Sequence, residues 1–582
     1  MTVRPLARSG RIILWLSIPL GALLLYLHTR VPAVGLIDSG ELAGGCYLLN
    51  ILHPTGYPLY TLLGRIFTLI LWGTVINRVT LLSAVFSAIG ILLFMLLGGK
   101  LKFNLIGISV VALLLAVSPP LWAVSVDAEV YSLTFFFSVL IWLMVTEPVS
   151  LLGLLLFAYL AGLSLTNHLT GLWTVLGAMT ALTLIRHRHL VRLLPILLIF
   201  FLLGLSPYLF LLVRARAQPL LAWGNPVDFE RLWWHITGRQ YQVWMFSSTL
   251  SNVLQNVRYG GLLLARTFGY LLIPVVIYGW IVLLGRYRHL TVGLTVTTLL
   301  SLLYAANYAI PDIDGYYLPA ITALGIFATQ GIDALYQRWG RVVYLVAVLP
   351  LAMLFANYPQ LNRNQDWVAF DQALNTLKSA DSGAIIITDW WDIYAPVFYL
   401  QEVEHIRPDV CIIDKELVRR SWYFHYLNKK YPWLARNSRA EIEQFQHHLR
   451  LFEYRRPYDP VAIQERYIRL LRSFFVNNPD RPAYTTFAPN SGPDARQLLA
   501  GFQTVPVGIL YQLRTDSLIP EFDYHHLQVR IPQFGLNTRS RFNLDRYRLF
   551  VQDRVALLRS HNRFAEAQQT EAWYLNQFRN YR

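Results

Sequence analysis

The stretch DSGELAGGCYLLNILHPTGYPLY, residues 38–60, follows directly on the first membrane-length apolar run of the chain. It puts two carboxylates, Asp38 and Glu41, and a histidine, His53, at the edge of a bilayer, where charge is costly unless it is used or paired. Asp38 and Glu41 are three residues apart and so project to one side of a helix or turn. One of them can then remove a proton while the other binds a metal or orients an acceptor. The alternative is that they cap the following helix, since an acid at a helix start is stabilised by the dipole. From His53 to Pro58, two prolines and a glycine stop helix propagation and fix a tight turn. That turn holds the imidazole towards the same cavity or leaves it facing solvent.

Composition sets the class around this stretch. Of 582 residues, 55% are hydrophobic and only 14% are charged, with a mean hydropathy of +0.40, which an ordinary soluble globule does not accommodate. The chain reads as a polytopic α-helical membrane protein. Its net charge is +16, and many of its arginines sit in short loops between apolar segments, where they set topology. Anionic lipid, rather than nucleic acid, is the expected partner. Cys46 and Cys411 are the only cysteines, so no disulfide framework holds the fold and at most one bridge can form. There is no Walker loop, HExxH, GxSxG or cysteine metal cluster, which disfavours ATP-driven transport and zinc chemistry.

Counting about 20 apolar residues per span, with short basic loops in the cytoplasm, gives about eleven spans. They are Ile12–His28, Val79–Leu97, Leu105–Val117, Leu133–Thr146, Leu151–Leu165, Leu169–Ile185, Leu193–Val213, Gly261–Leu284, Leu290–Ala306, Leu318–Tyr336 and Val342–Ala356. The first, preceded by Arg4, Arg8 and Arg11, reads as a retained anchor with a cytoplasmic N-terminus. Leu59–Trp72 carries Arg65 and is expected to lie along the membrane surface.

On this path every acid-containing motif falls on the outer side. SVDAEVYSL carries Asp127 and Glu129, which either line a pocket or cap a helix. TNHLTG carries Asn167 and His168, and GRQY carries Arg239 and Tyr241; all four can donate to a phosphate. PDIDGYY carries Asp312 and Asp314, a weak imitation of a metal-binding Asp-x-Asp pair. Trp233, Trp234 and Trp244 read as interfacial anchors. Residues 1–357 form the expected membrane domain. Beyond them, strand-length runs such as Ala384–Thr388 and Val410–Ile413 alternate with helical patterns, and Phe542–Phe578 reads as two amphipathic helices. A soluble, outer α/β domain ending in helices is therefore expected over residues 358–582.

The order of these features resembles the GT-C class of membrane glycosyltransferases. Five blocks, DSGELAGGCYLLNILHPTGYPLY, DAEVYSL, GLSLTNHLT, WGNP with HITGRQY, and NYAIPDIDGYYLP, resemble the protein O-mannosyltransferase family that includes the animal enzyme acting on plexin-type receptors. A sixth, ITDWWDIYAPVFYLQEVEHIRPDV, extends the likeness into the C-terminal part. The resemblance implies inverting transfer of a sugar, mannose in that family, from a polyprenyl-phosphate carrier to a hydroxyl of an exported or membrane protein. It makes Asp38 the candidate base with Glu41 beside it. Candidates for holding donor phosphate or acceptor are His53, Tyr57, Glu129, Asn167, His168, Arg239, Tyr241, Asp312 and Asp314. No metal is obligatory for this chemistry, although a divalent cation is compatible with it.

Two other readings share these features. One is a glycosyltransferase of the same class acting on a lipid or glycan. The other is a lipid or solute transporter, for which ionisable groups at mid-membrane depth or broken-helix repeats are expected; here the acids gather at one face. The chain has no Asn-x-Ser/Thr site and no evident retention signal, which points to a bacterial plasma membrane over the endoplasmic reticulum.

Overall fold

The computed structural model describes residues 8–146, 150–308, 310, 312–579 and 581; Arg4, expected to help hold the N-terminus inside, lies outside them. The membrane part is a succession of helices: α1 (Arg8–Thr29), α2 (Ser39–Leu48), α3 (Pro58–Thr68), α4 (Val75–Lys100), α5 (Leu105–Ala116), α6 (Pro119–Ser125), α7 (Tyr131–Val145) and α8 (Leu151–Leu165). There follow α9 (Gly171–Gly204), α10 (Tyr208–Arg216), α11 (Phe229–Ile236), α12 (Leu250–Thr267), α13 (Ile273–Arg286), α14 (Arg288–Ala306), α15 (Leu318–Trp339) and α16 (Leu349–Leu361). The last runs through the expected boundary at residue 357.

Among the described residues, four helical stretches are long and apolar enough to cross a membrane: α4, α9, α14 and Ile313–Trp339, which contains α15. The pair α5 and α6, bent by 58°, makes a fifth if taken as one span. The eleven expected spans are therefore not met on length. Trp15–Thr29, α7, α8, α13 and Leu345–Leu361 are apolar but shorter. Backbone conformation explains one shortfall: the run Gly261–Leu284 is divided between α12 and α13, where Gly269 and Tyr270 take the left-handed conformation.

Helix α9 also departs from a simple span. Thirty-four straight residues would reach about 50 Å, yet the Tyr208 hydroxyl, just beyond its end, donates to the Leu165 carbonyl at 2.8 Å, just before its start. The chain therefore doubles back at Arg186, whose backbone is non-helical (φ −147°, ψ 44°). Leu169–Ile185 and Leu193–Val213 are consequently two antiparallel stretches, and the basic RHRHLVR segment lies at their turn. Small residues allow such close packing: a Cβ on Gly177 would lie 2.4 Å from the Gly293 carbonyl of α14.

The C-terminal part continues with α17 (Val368–Ser379), β1 (Ile385–Thr388), α18 (Trp391–Glu402), β2 (Cys411–Asp414), β3 (Ala483–Thr485), β4 (Gln503–Val507) and β5 (Leu510–Arg514). The sheet order is β2-β1-β3-β5-β4, with β1 parallel to β2 and β3 and the last pairings antiparallel. β1 and β2 form on the two apolar runs expected to be strands, and the chain ends in helices Thr538–Ser560 and Phe564–Gln577. Cys46 and Cys411 are both buried and free.

The loop leaving the carboxyl end of β1, where open α/β sheets present their functional loops, inserts against residues 35–44. Asp392, fully buried, accepts from the Ile37 amide at 3.0 Å, from Arg539 Nε at 2.7 and 2.9 Å and from Asn543 at 2.9 Å. Beside it, Asp127 accepts from Ser39 Oγ at 2.6 Å and Arg363 Nη1 at 2.9 Å. The two parts of the chain are thus joined through buried charge as well as apolar contact.

Helix α2 meets α18 at Gly40, where a Cβ would fall 2.3 Å from the Ala395 carbonyl oxygen. Gly40→Ala should therefore force the helices apart and lower stability by about 1–3 kcal/mol. Thermal unfolding of the purified protein checks this; an unchanged transition would show that the interface gives freely.

Candidate active site

Asp38 is the residue before α2, with φ −92° and ψ −4°, yet its side chain makes no capping hydrogen bond. The capping alternative is thereby answered: the carboxylate turns away from the helix. Its Oδ1 accepts from the Trp391 indole N–H at 2.8 Å, and its Oδ2 lies 3.8 Å from His53 Nε2. With 24% of its side chain exposed, it opens on a cavity. Glu41, one helical turn on, points inwards and is 1% exposed. It accepts from the His53 backbone amide at 2.7 Å and from His53 Nδ1 at 2.8 Å. Glu41 is thus a carboxylate dedicated to His53, while Asp38 is left for other work.

The turn expected around His53 is present. Gly56 has φ 90°, and a Cβ there would lie 2.7 Å from Leu211 and 2.8 Å from His235. Tyr57 follows with φ 43°, an uncommon conformation for a bulky residue. Together they swing the Tyr57 ring back over His53, with centroids 4.9 Å apart. His53 Nε2 donates to Tyr57 Oη at 2.8 Å, and the Tyr57 hydroxyl donates to the Pro54 carbonyl at 3.3 Å.

Burial alone would lower the His53 pKa, but Glu41 and Asp38 outweigh it and push the imidazole up to about 9. It is therefore an imidazolium at neutral pH. A raised folded value means that its pairing stabilises the fold fully below the ordinary imidazole value of about 6.5, and that this contribution is lost as pH rises through about 9. Burial raises the Asp38 carboxyl; His53 opposes this, Glu41 adds to it, and the net direction is upward. Asp38, Glu41 and His53 also present ligand atoms within 4.8 Å of one another, a set a cation can occupy. His53 would have to give up its proton to join it, so ligation and ion pairing are alternative states of the same three residues.

The cavity beside Asp38, about 240 Å³, is lined by His53, Pro54, Tyr57, Trp223, Tyr241 and Asp312 among others. Asp312 is pushed up to about 6 by burial and then by Asp38. A second cavity of about 190 Å³ shares Pro54, Tyr57, Tyr241, Tyr308 and Tyr316 with the first and adds His168, Leu172, Trp173 and Met245. The His168 ring stacks on Tyr57 at 5.5 Å, and burial, then His53, holds its pKa down at about 3. His168 Nδ1 accepts from the Thr170 amide at 3.1 Å, so the neutral ring carries its proton on Nε2.

Four sequence candidates stand elsewhere. Asn167 spends its amide on the Val130 carbonyl and the Thr134 hydroxyl, fastening α7. Glu129 is not among the cavity-lining residues; burial, with Asp312 and Asp38, raises its carboxyl well above the ordinary range. Asp314 accepts from the Tyr259 hydroxyl outside both cavities, while Asp312 lines the first. Arg239 lies over the Trp234 ring at 3.8 Å and donates to the Glu453 carbonyl at 2.8 Å, in a third cavity. Conversely, Trp391, Trp223, Tyr308 and Tyr316 line the first cavity and were not singled out from sequence. The DWWD run within the sixth block was the available signal for Trp391.

Residues 38–192 match the family model described as Protein O-mannosyl-transferase TMEM260 N-terminal domain, and residues 369–448 match TMEM260-associated domain 2. The match to the first begins at Asp38; the second contains Trp391. The resemblance to the protein O-mannosyltransferase family is thus borne out in two separate stretches of chain. Protein O-mannosyl-transferase TMEM260 of Mus musculus is 24% identical over 435 residues, 68% of this chain and 61% of the relative, so the chain spans under two thirds of that protein. Protein O-mannosyl-transferase tmem260 of Dictyostelium discoideum is 21% identical over 613 residues, covering 92% of this chain and 71% of the relative. Among solved structures, ArnT from Cupriavidus metallidurans in the apo state aligns with a TM-score of 0.47 and 15% identity, covering 71% of this chain and 91% of that one.

Removing the Glu41 charge should discharge His53. In Glu41→Gln, histidine ¹⁵N NMR should place the His53 pKa at or below about 6.5 instead of about 9; a value still near 9 would mean that Glu41 does not hold the proton in place.

Proposed function

We propose that the protein transfers a sugar, mannose by family likeness, from a polyprenyl-phosphate donor to a hydroxyl of an exported or membrane protein, at the outer face of the membrane. The observation that carries this reading is the pairing at the first cavity. Asp38, with one oxygen held by Trp391 and the other without a hydrogen-bond partner among the described residues, stands 3.8 Å from an imidazolium. A hydroxyl is a poor nucleophile, so a carboxylate must accept its proton as the sugar C1 is attacked. Asp38, whose basicity burial raises, is suited to that role.

In the proposed step the acceptor oxygen bonds to C1 as the C1–O bond to phosphate breaks. The bonding pair leaves with the phosphate, and the hydroxyl proton passes to Asp38. The lipid phosphate gains a negative charge, and His53 supplies a fixed positive charge against it in a site from which water is largely excluded. Displacement from the face opposite the phosphate inverts C1. The second cavity, with Leu172, Trp173 and Met245 in its wall, offers an apolar approach for the prenyl chain, and His168 Nε2–H is a neutral donor along it. A cation held by Asp38, Glu41 and a deprotonated His53 would put its own positive charge at the same place, in exchange for that of the imidazolium.

The family relatives support protein as the acceptor by their names, both being protein O-mannosyl-transferases. The gathering of acids and histidines at one end of the bundle favours chemistry at a membrane surface over passage through it.

Transfer of labelled mannose from polyprenyl-phosphate mannose to exported-protein fractions tests the reading. Asp38→Asn should lower transfer by about 10²–10⁴-fold while elution and melting match the parent; near-normal turnover in that variant would remove Asp38 from the role of base. The wild-type rate should also fall as pH rises through about 9, where His53 loses its proton.

A further inference from the structure

We infer that the third cavity is a docking site for an acidic segment of the acceptor polypeptide, an inference that rests on the transferase reading of the Asp38 centre. This cavity, about 360 Å³, gathers Arg231 from α11, Arg239 from the turn after it, and Arg420 and Arg455 from the C-terminal part. Among the described residues, no carboxylate pairs with the guanidinium of Arg231, Arg420 or Arg455. The acid in the wall, Glu453, is committed to the Ser421 amide and hydroxyl at 3.1 and 2.7 Å. Burial and then the charge of Arg455 hold Arg239 below its ordinary pKa. The buried Trp422 indole N–H, in the same wall, has no hydrogen-bond partner among the described residues. Like charges brought together from separate elements repel one another until an anion joins them.

Position decides which anion. Six of the fourteen wall residues, Arg420, Ser421, Trp422, Phe452, Glu453 and Arg455, lie beyond the apolar helices, and the cavity with an apolar approach from the bundle is the second one. The arginine cavity adjoins the reacting centre: Pro54 lines both, Trp422 packs on Trp223 at 4.9 Å, and Trp223 meets the His53 ring at 5.9 Å. A polypeptide anchored by carboxylates on the arginines would carry a neighbouring hydroxyl across Pro54 towards Asp38. Guanidinium pairs carboxylate in bidentate geometry, so acidic residues flanking the modified serine or threonine are the feature selected.

Binding to the full-length purified protein, without donor, tests this by fluorescence anisotropy. The probes are a short labelled peptide in which a central threonine is flanked by aspartates and its counterpart flanked by asparagines. The aspartate peptide should bind roughly tenfold more tightly, and Arg420→Gln with Arg455→Gln should erase the preference while leaving the asparagine peptide unchanged. Arg420→Lys with Arg455→Lys should retain most of it, which separates charge from folding. Equal affinities in the wild type, or a preference that survives both Gln substitutions, would overturn the inference. So would displacement of the peptides by nanodiscs containing phosphatidic acid that is itself sensitive to the Gln substitutions, which would give the cavity to a lipid phosphate. Because binding is read without turnover, equal affinities in a wild-type protein that transfers mannose sink the docking site alone, and absence of transfer by a wild-type protein that shows the preference sinks the transferase reading alone.

Discussion

A carboxylate that water scarcely reaches must be matched by a cation and hydrogen-bond donors, or it does not stay ionised. Glu41 is such a group, and His53 answers it twice, through its amide and through Nδ1. This pair fixes the rest of the centre. It turns the imidazole edge towards Asp38 and Tyr57, keeps it charged, and requires the Gly56–Tyr57 turn that brings the chain back over it. Asp38 is thereby left 3.8 Å from the imidazolium, at the rim of a cavity, with one oxygen held by Trp391.

The second requirement is that Asp38 be held still, and the structure assigns that to the far half of the chain. Trp391 and Asp392 leave the carboxyl end of β1 and enter the loop before α2, one gripping the Asp38 carboxylate and the other the Ile37 amide. Arg539 and Asn543, some 150 residues further on, neutralise and orient Asp392. The C-terminal part therefore builds one wall of the site, and Gly40 is the point where its helix comes close enough to do so.

Much of this was legible in sequence because short-range rules govern it. The HPTGYP turn follows from proline and glycine chemistry, and the two carboxylates at the start of the first loop stand out against an apolar background. The strands Ile385–Thr388 and Cys411–Asp414 follow from run length. What sequence did not give is what depends on long-range contact. The different fates of Asp38 and Glu41, identical by spacing, are decided by which one faces His53 from within. The Asn167 amide nitrogen and the Asp314 carboxylate look like ligands but bond to neighbours that only the fold supplies. One expected span, Gly261–Leu284, is lost because a local break at Gly269–Tyr270 divides an apolar run that hydropathy reads as continuous.

The proposed transfer is a single displacement in which Asp38 takes the acceptor proton and His53 faces the departing phosphate. The anomeric configuration of the sugar on the product, read by NMR after transfer from a polyprenyl-phosphate donor of known configuration, tests it most directly. An inverted C1 is the predicted result. Retention would contradict the account, since a single displacement from the face opposite the phosphate cannot give it.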